Sequence, residues 1–123
     1  MIDKIQLYQQ NQIQTQPPEK LVTMLYDGAA RFISQAVPAV ERHDFEKANY
    51  YLGRAEDIIA ELMVTLDREA GGEIAENLYN LYDFMYRWLV QANVKKDPAM
   101  MRQVERLIKE LRDTWEEATT KSH

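Results

Sequence analysis

The chain has no cysteine, two histidines, four glycines and four prolines in 123 residues. Without cysteine there is no disulfide framework, no thiolate metal site and no thiol nucleophile. His43 falls in an expected loop and His123 is the last residue. Neither takes the Glu-x-x-His spacing by which helical bundles hold metals. A Gly-x-Ser-x-Gly elbow and a phosphate-cradling glycine loop are also missing, so no enzymatic activity and no cofactor are expected. No apolar run approaches the roughly 18 residues of a membrane span. The opening MIDKIQLYQQNQ lacks the basic start and continuous apolar stretch of a signal peptide. The expectation is a cytoplasmic protein without membrane insertion. Positive charge is in deficit too: 15 Lys and Arg face 20 Asp and Glu, a net charge of -5. A field of that sign argues against nucleic acid as a partner.

What is present is helical pattern. Residues 6 to 16 hold six glutamines and end at Pro17-Pro18. They read as an arm, in which Ile2, Ile5 and Tyr8 at spacing three could form one amphipathic turn on a suitable surface. A first helix is predicted from Pro18 to about Glu41, with Pro38 expected to kink it or end it early. Asp44 is the expected N-cap of a second helix. Its apolar side is Phe45, Ala48, Leu52, Ala55, Ile59, Leu62, Met63 and Leu66, and Gly71-Gly72 is expected to terminate it. A third helix is predicted from about Glu73 to Lys95. Asp97-Pro98 then supplies a cap and first-turn proline for a fourth, which runs to about Thr120. No strand-period alternation of useful length appears. Short connections near 42–44, 67–72 and 95–97 make sequential helices antiparallel neighbours. The predicted fold is therefore all-α, an antiparallel up-down four-helix bundle. Its domains are an N-terminal arm or cap over 1–17, the bundle over 18–120 and a tail over 121–123.

The apolar faces differ in width. Met100, Met101, Val104, Leu107, Ile108, Leu111, Trp115 and Ala118 of the fourth helix cover an arc of roughly 120°, enough for one core. The third helix carries five of the chain's twelve aromatic residues within ten positions. Its core stripe is Ile74, Leu78, Leu81, Tyr82, Met85, Leu89 and Ala92. Tyr79, Tyr86 and Val90 extend that stripe on one side and Phe84 and Trp88 on the other, to roughly 240°. In the first helix Leu21, Leu25, Ala29, Phe32 and Ala36 suffice for a core, leaving Met24, Tyr26, Ala30 and Val37 outside it. Such excess marks an interaction surface, a face covered by the arm, or a face buried against a second copy. Gly28, in mid-helix, reads either as close approach of another backbone or as a tolerated defect. The fourth helix's charges, among them Glu105, Lys109 and Arg112, read as a solvated face with an i,i+4 pair.

Four stretches carry a name: YQQNQIQTQPPEKLVTMLYDGAARF (8–32), ELMVTLDREAGGEIAENLYNLYDFM (61–85), LVQAN (89–93) and LRDTW (111–115). In order and spacing they resemble the FliS family of flagellar secretion chaperones, over nearly the whole chain. The resemblance implies a cytoplasmic helical bundle that binds the C-terminal segment of flagellin, about one to one. By doing so it prevents premature polymerisation and aids delivery to a component of the flagellar type III export gate. It also implies that the N-terminal segment shares part of the client surface, which assigns Ile5, Tyr8 and Ile13 to a displaceable cap. Client contact is expected at the non-core fringe, Tyr26, Ala30, Tyr79, Phe84, Tyr86 and Trp88, with Asp83 and Asn93 meeting polar groups of the client. This chain departs from the family pattern in three places: Pro17 replaces a capping serine, Phe84 a frequent tyrosine and Trp88 a common arginine. The last two enlarge the apolar surface. The alternative is a self-associating structural bundle with no client, or a weak homodimer.

Overall fold

The computed structural model describes residues 18–121, with side chains over 19–120. The arm, including Ile5, Tyr8 and Ile13, lies outside the described residues. Four helices follow: α1 Pro18–Glu41, α2 Phe45–Thr65, α3 Arg68–Lys95 and α4 Pro98–Lys121. Each packs on its chain neighbours and α4 closes back on α1, so α1 and α3 face each other diagonally across the core. Ion pairs fix the antiparallel sense. Glu41 at the end of α1 approaches Arg102 near the start of α4, and Asp27 in the first half of α1 meets Arg112 in the second half of α4.

The helix boundaries follow from local chemistry. Asp44 caps α2 by accepting from the Lys47 N–H. The Asp97 carboxylate accepts the Ala99 and Met100 amides at 3.0 and 3.4 Å ahead of α4. His43 and Lys96 take left-handed backbone, with φ of 63° and 53°, and turn the chain in two or three residues. The Lys96 ammonium then donates to Asn49 at 2.7 Å and to Asn93, tying the end of α3 to the start of α2.

Neither an early end at Pro38 nor a stop of α2 at Gly71-Gly72 occurs. Pro38 does not end α1: the Arg42 amide donates to the Pro38 carbonyl at 3.0 Å. Pro38 itself is exposed, while Val37, Ala39 and Val40 around it are buried and hold the turn in place. Gly71-Gly72 does not terminate α2 either. That helix ends at extended Leu66, and Asp67 caps α3 by accepting the Ala70 N–H at 3.0 Å. Gly72 instead breaks α3 internally, at φ 57° and ψ -134°. That conformation is nearly closed to residues with a Cβ, so Gly72→Ala should destabilise the fold by about 1–3 kcal/mol. Apart from the adjoining backbone, nothing stands within 4 Å of the added methyl, so the loss would be backbone strain alone. A thermal melt checks this as a lowered Tm. Gly28 lies against a side chain, since a Cβ there would meet Cδ1 of Ile58 at 3.3 Å.

The core holds Ile33, Leu52, Ile59, Leu62, Met85 and Leu89, each at most 1% exposed. Full burial of such a side chain stabilises by about 1.5–3 kcal/mol. Of the four helices α1 packs most extensively, against α2 and α4, and its buried arc is wide. Tyr26, Ala30 and Val37, expected outside the core, are 2%, 7% and 1% exposed. Phe45 and Ile74, expected inside, are 40% and 75% exposed. Phe45 opens α2 at the bundle's end, where the Lys96 ammonium sits over its ring. Ile74 follows the Gly72 break, and the inward position there belongs to Ala75.

The Tyr26 and Tyr82 hydroxyls meet at 2.5 Å across the α1–α3 diagonal. Each is the other's hydrogen-bond partner in an apolar interior. Burial pushes both phenols above the usual value near 10. Tyr82→Phe alone leaves the Tyr26 hydroxyl buried and unpaired, a loss of about 1–3 kcal/mol, whereas the double Phe variant should be nearly neutral. Denaturant titration of the four-member cycle checks both values. Unfolded phenols ionise near pH 10. The folded pair stays protonated above that, so its stabilisation is whole below about pH 10 and declines as pH rises past it. The double variant should lose that part of the alkaline decline.

Candidate functional site: the α3–α4 groove

Phe84 and Trp88 stand one turn apart on α3, their rings stacked at 5.5 Å with 22° between planes. Phe84 is 42% exposed, a large apolar ring left in water. The Trp88 indole N–H donates to Gln103 Oε1 at 2.9 Å and so anchors the pair to α4. With Arg106, Leu107 and Glu110 these three side chains line a groove of about 450 Å³. A second hollow of about 520 Å³ continues over the outer face of α3 past Tyr86, Arg87 and Val90. The Phe84–Trp88 pair is the ridge shared by both. Both volumes lie within the range of ligand clefts, and a groove with an aromatic ridge and a few polar groups suits an amphipathic segment.

The sequence-predicted site residues separate into five groups. Phe84, Trp88 and Tyr86 line the two hollows. Tyr79, half-buried, is covered by the Arg68 guanidinium at 4.1 Å from its ring centre. Arg68 is itself held by Glu76 at 2.9 Å. Asp83 pairs with Arg87 at 3.0 Å on the exposed side of α3. Asn93 accepts from Lys96 and serves the α2–α3 junction. Tyr26 and Ala30 are core residues, which corrects their placement on the fringe.

The opposite wall, Gln103, Arg106, Leu107 and Glu110, escaped the sequence reading because the fourth helix's arc looked sufficient for a core and no more. The short 96–97 turn held the missing signal, since it sets residues shortly after it beside residues shortly before it. The solvated face of α4 also needs correction. Glu105 is 8% exposed and pairs with Lys109 at 3.2 Å. Arg112 reaches Asp27 at 2.9 Å and also pairs with Glu116. The Trp115 indole donates to the Glu19 carbonyl at 2.8 Å. Thus LRDTW fastens α4 to α1, and Asp27 of LYDGA serves that junction.

Among the described residues no group of three or more His, Cys, Asp or Glu side chains could hold a metal ion. No helix there is long and apolar enough to cross a membrane. Fold and groove together define an all-α four-helix bundle with an aromatic-ridged groove between α3 and α4. The chain matches the family model described as "Flagellar protein FliS" over residues 1–122. It is 43% identical over 111 residues to a flagellar secretion chaperone FliS of Bacillus subtilis, covering 90% of this chain and 82% of that one. A Vibrio cholerae protein of the same name is 37% identical over 92% of this chain and 83% of its own. One from Salmonella typhimurium is 38% identical over 85% and 78%. The chain belongs to the FliS family, a family of chaperones and not of enzymes.

Proposed function

We propose that this protein is a cytoplasmic export chaperone that binds the C-terminal segment of flagellin, prevents its premature polymerisation and aids its delivery to the type III export gate. The observation that carries this is the exposed Phe84–Trp88 ridge over the α3–α4 groove, in a chain of the FliS family. A disordered client segment gains helix only where apolar anchors find such a groove, and the area it covers offsets the entropy of ordering it. Phe84, Trp88 and Tyr86 receive the anchors. Asp83 and Gln103 are placed to meet polar groups of the client, and a client reaching Tyr79 must displace Arg68.

The N-terminal residues compete for part of this surface. Deleting residues 1–16 is therefore expected to raise client affinity, by no more than the fraction of protein held closed allows. Calorimetric titration with the flagellin C-terminal segment tests the whole proposal. Saturation near one to one with a gain of far-UV helix signal is expected. A folded protein that takes up no segment would overturn it.

A further inference from the structure

Between Arg102 and Glu116 the charged side chains of α4 are paired almost throughout. Arg102 approaches Glu41 of α1 at 3.9 Å, Glu105 holds Lys109 at 3.2 Å, and Arg112 meets Asp27, Asp113 and Glu116. Arg106 and Glu110 are the exceptions. Both are exposed, and among the described residues neither has an ion-pair partner. They are also the two charged residues that line the α3–α4 groove. Their spacing is i and i+4 with Arg before Glu, the less favourable order for a pair within one helix. The facing helix does not claim them, because Asp83 and Arg87 of α3 hold each other at 3.0 Å. The groove therefore has the Phe84–Trp88 ridge on one side and, on the other, a cation with an anion about 6 Å further along α4.

We propose that Arg106 and Glu110 determine which client segment the groove takes and which way round it lies, an inference that rests on reading the groove as the client site. The segment is helical, lays apolar anchors on Phe84, Trp88 and Leu107, and carries an acidic side chain opposite Arg106 and a basic one opposite Glu110, about one turn apart. Charge complementarity selects this occupant. The same segment turned end for end would bring like charges face to face, which is costly. A wholly apolar segment would strip water from both charges and offer them no partner, so it is rejected as well. The chain's own arm matches poorly, because its charged side chains, Asp3 and Lys4, are adjacent and not a turn apart.

The test titrates the full chain and its variants with the flagellin C-terminal segment by calorimetry, with circular dichroism as the check on folding. Arg106→Glu and Glu110→Arg are each expected to weaken binding at least about threefold at low salt, with a smaller effect as salt rises and no loss of helix. The double variant, Arg106→Glu with Glu110→Arg, decides the matter. It meets the client with two like-charge contacts, so it should bind at least about tenfold more weakly than the unaltered protein and worse than either single variant. If the two side chains serve only each other in solution, the double variant restores their pair in the favourable order and binding returns, which overturns the proposal. Full affinity in every charge variant, while Phe84→Asp still blocks binding, overturns it too and leaves the groove as the client site. Full affinity in Phe84→Asp as well would remove the client from the groove, and this inference with it. Tighter binding by the single reversals would assign the two charges to the competing arm instead.

Discussion

Phe84→Asp is expected to weaken binding of the flagellin C-terminal segment by more than about 30-fold while the bundle stays folded. The ring is 42% exposed in the free protein, so folding depends little on it. A substitution at such a position usually moves stability by no more than about 0.5 kcal/mol. Under a client the same position becomes the centre of an apolar contact, and a carboxylate trapped there without a partner is costly. Truncated interface anchors typically lose at least about 2 kcal/mol, which is the 30-fold expected here. Trp88→Asp should lose at least as much binding and some stability too, because Trp88 also packs on the core and bonds Gln103. Titration calorimetry beside a thermal melt separates the two effects. Unchanged affinity in folded Phe84→Asp would remove the groove from the client path.

Ala30→Asp is expected to act in the opposite way, unfolding the bundle instead of merely blocking a surface. Ala30 is 7% exposed and belongs to the apolar core cluster. A carboxylate forced into that cluster is surrounded by apolar side chains. An uncompensated buried charge destabilises by about 3–5 kcal/mol, a large share of a small domain's stability. The variant should lose its cooperative melt or show a much lower denaturant midpoint. A folded Ala30→Asp that failed only to bind client would return this residue to the interface.

These two substitutions mark what sequence could and could not reveal. Local signals were legible: Asp44, Asp97-Pro98 and Pro18 act where their side chains reach the nearest amides or where a missing N–H costs nothing. The fold class followed from helical periods and short turns. The Gly71-Gly72 expectation failed because the Asp67 cap, four residues earlier, starts α3 before the glycines are reached. Tyr26 and Ala30 were misplaced for another reason. The width of a helix's buried arc depends on how many neighbours it has, and the return of α4 onto α1 is a property of the closed ring. Likewise, Arg112 resembles any exposed helix charge until Asp27, 85 residues away, is placed beside it. In the third helix the aromatic excess was visible at once, and the Phe84–Trp88 part of it does stand outside the core. The wall that turns it into a groove comes from α4.

The most direct measurement uses the chain's two tryptophans, Trp88 in the groove and Trp115 at the α1–α4 junction. With 5-fluorotryptophan incorporated, they give two fluorine resonances, assigned by replacing each with Phe. Addition of the flagellin C-terminal segment should shift the Trp88 resonance strongly, to saturation at one to one, as client replaces water over the indole. A complex that forms while the Trp88 resonance stays in place would contradict the account, because the client would then be bound away from the α3–α4 groove.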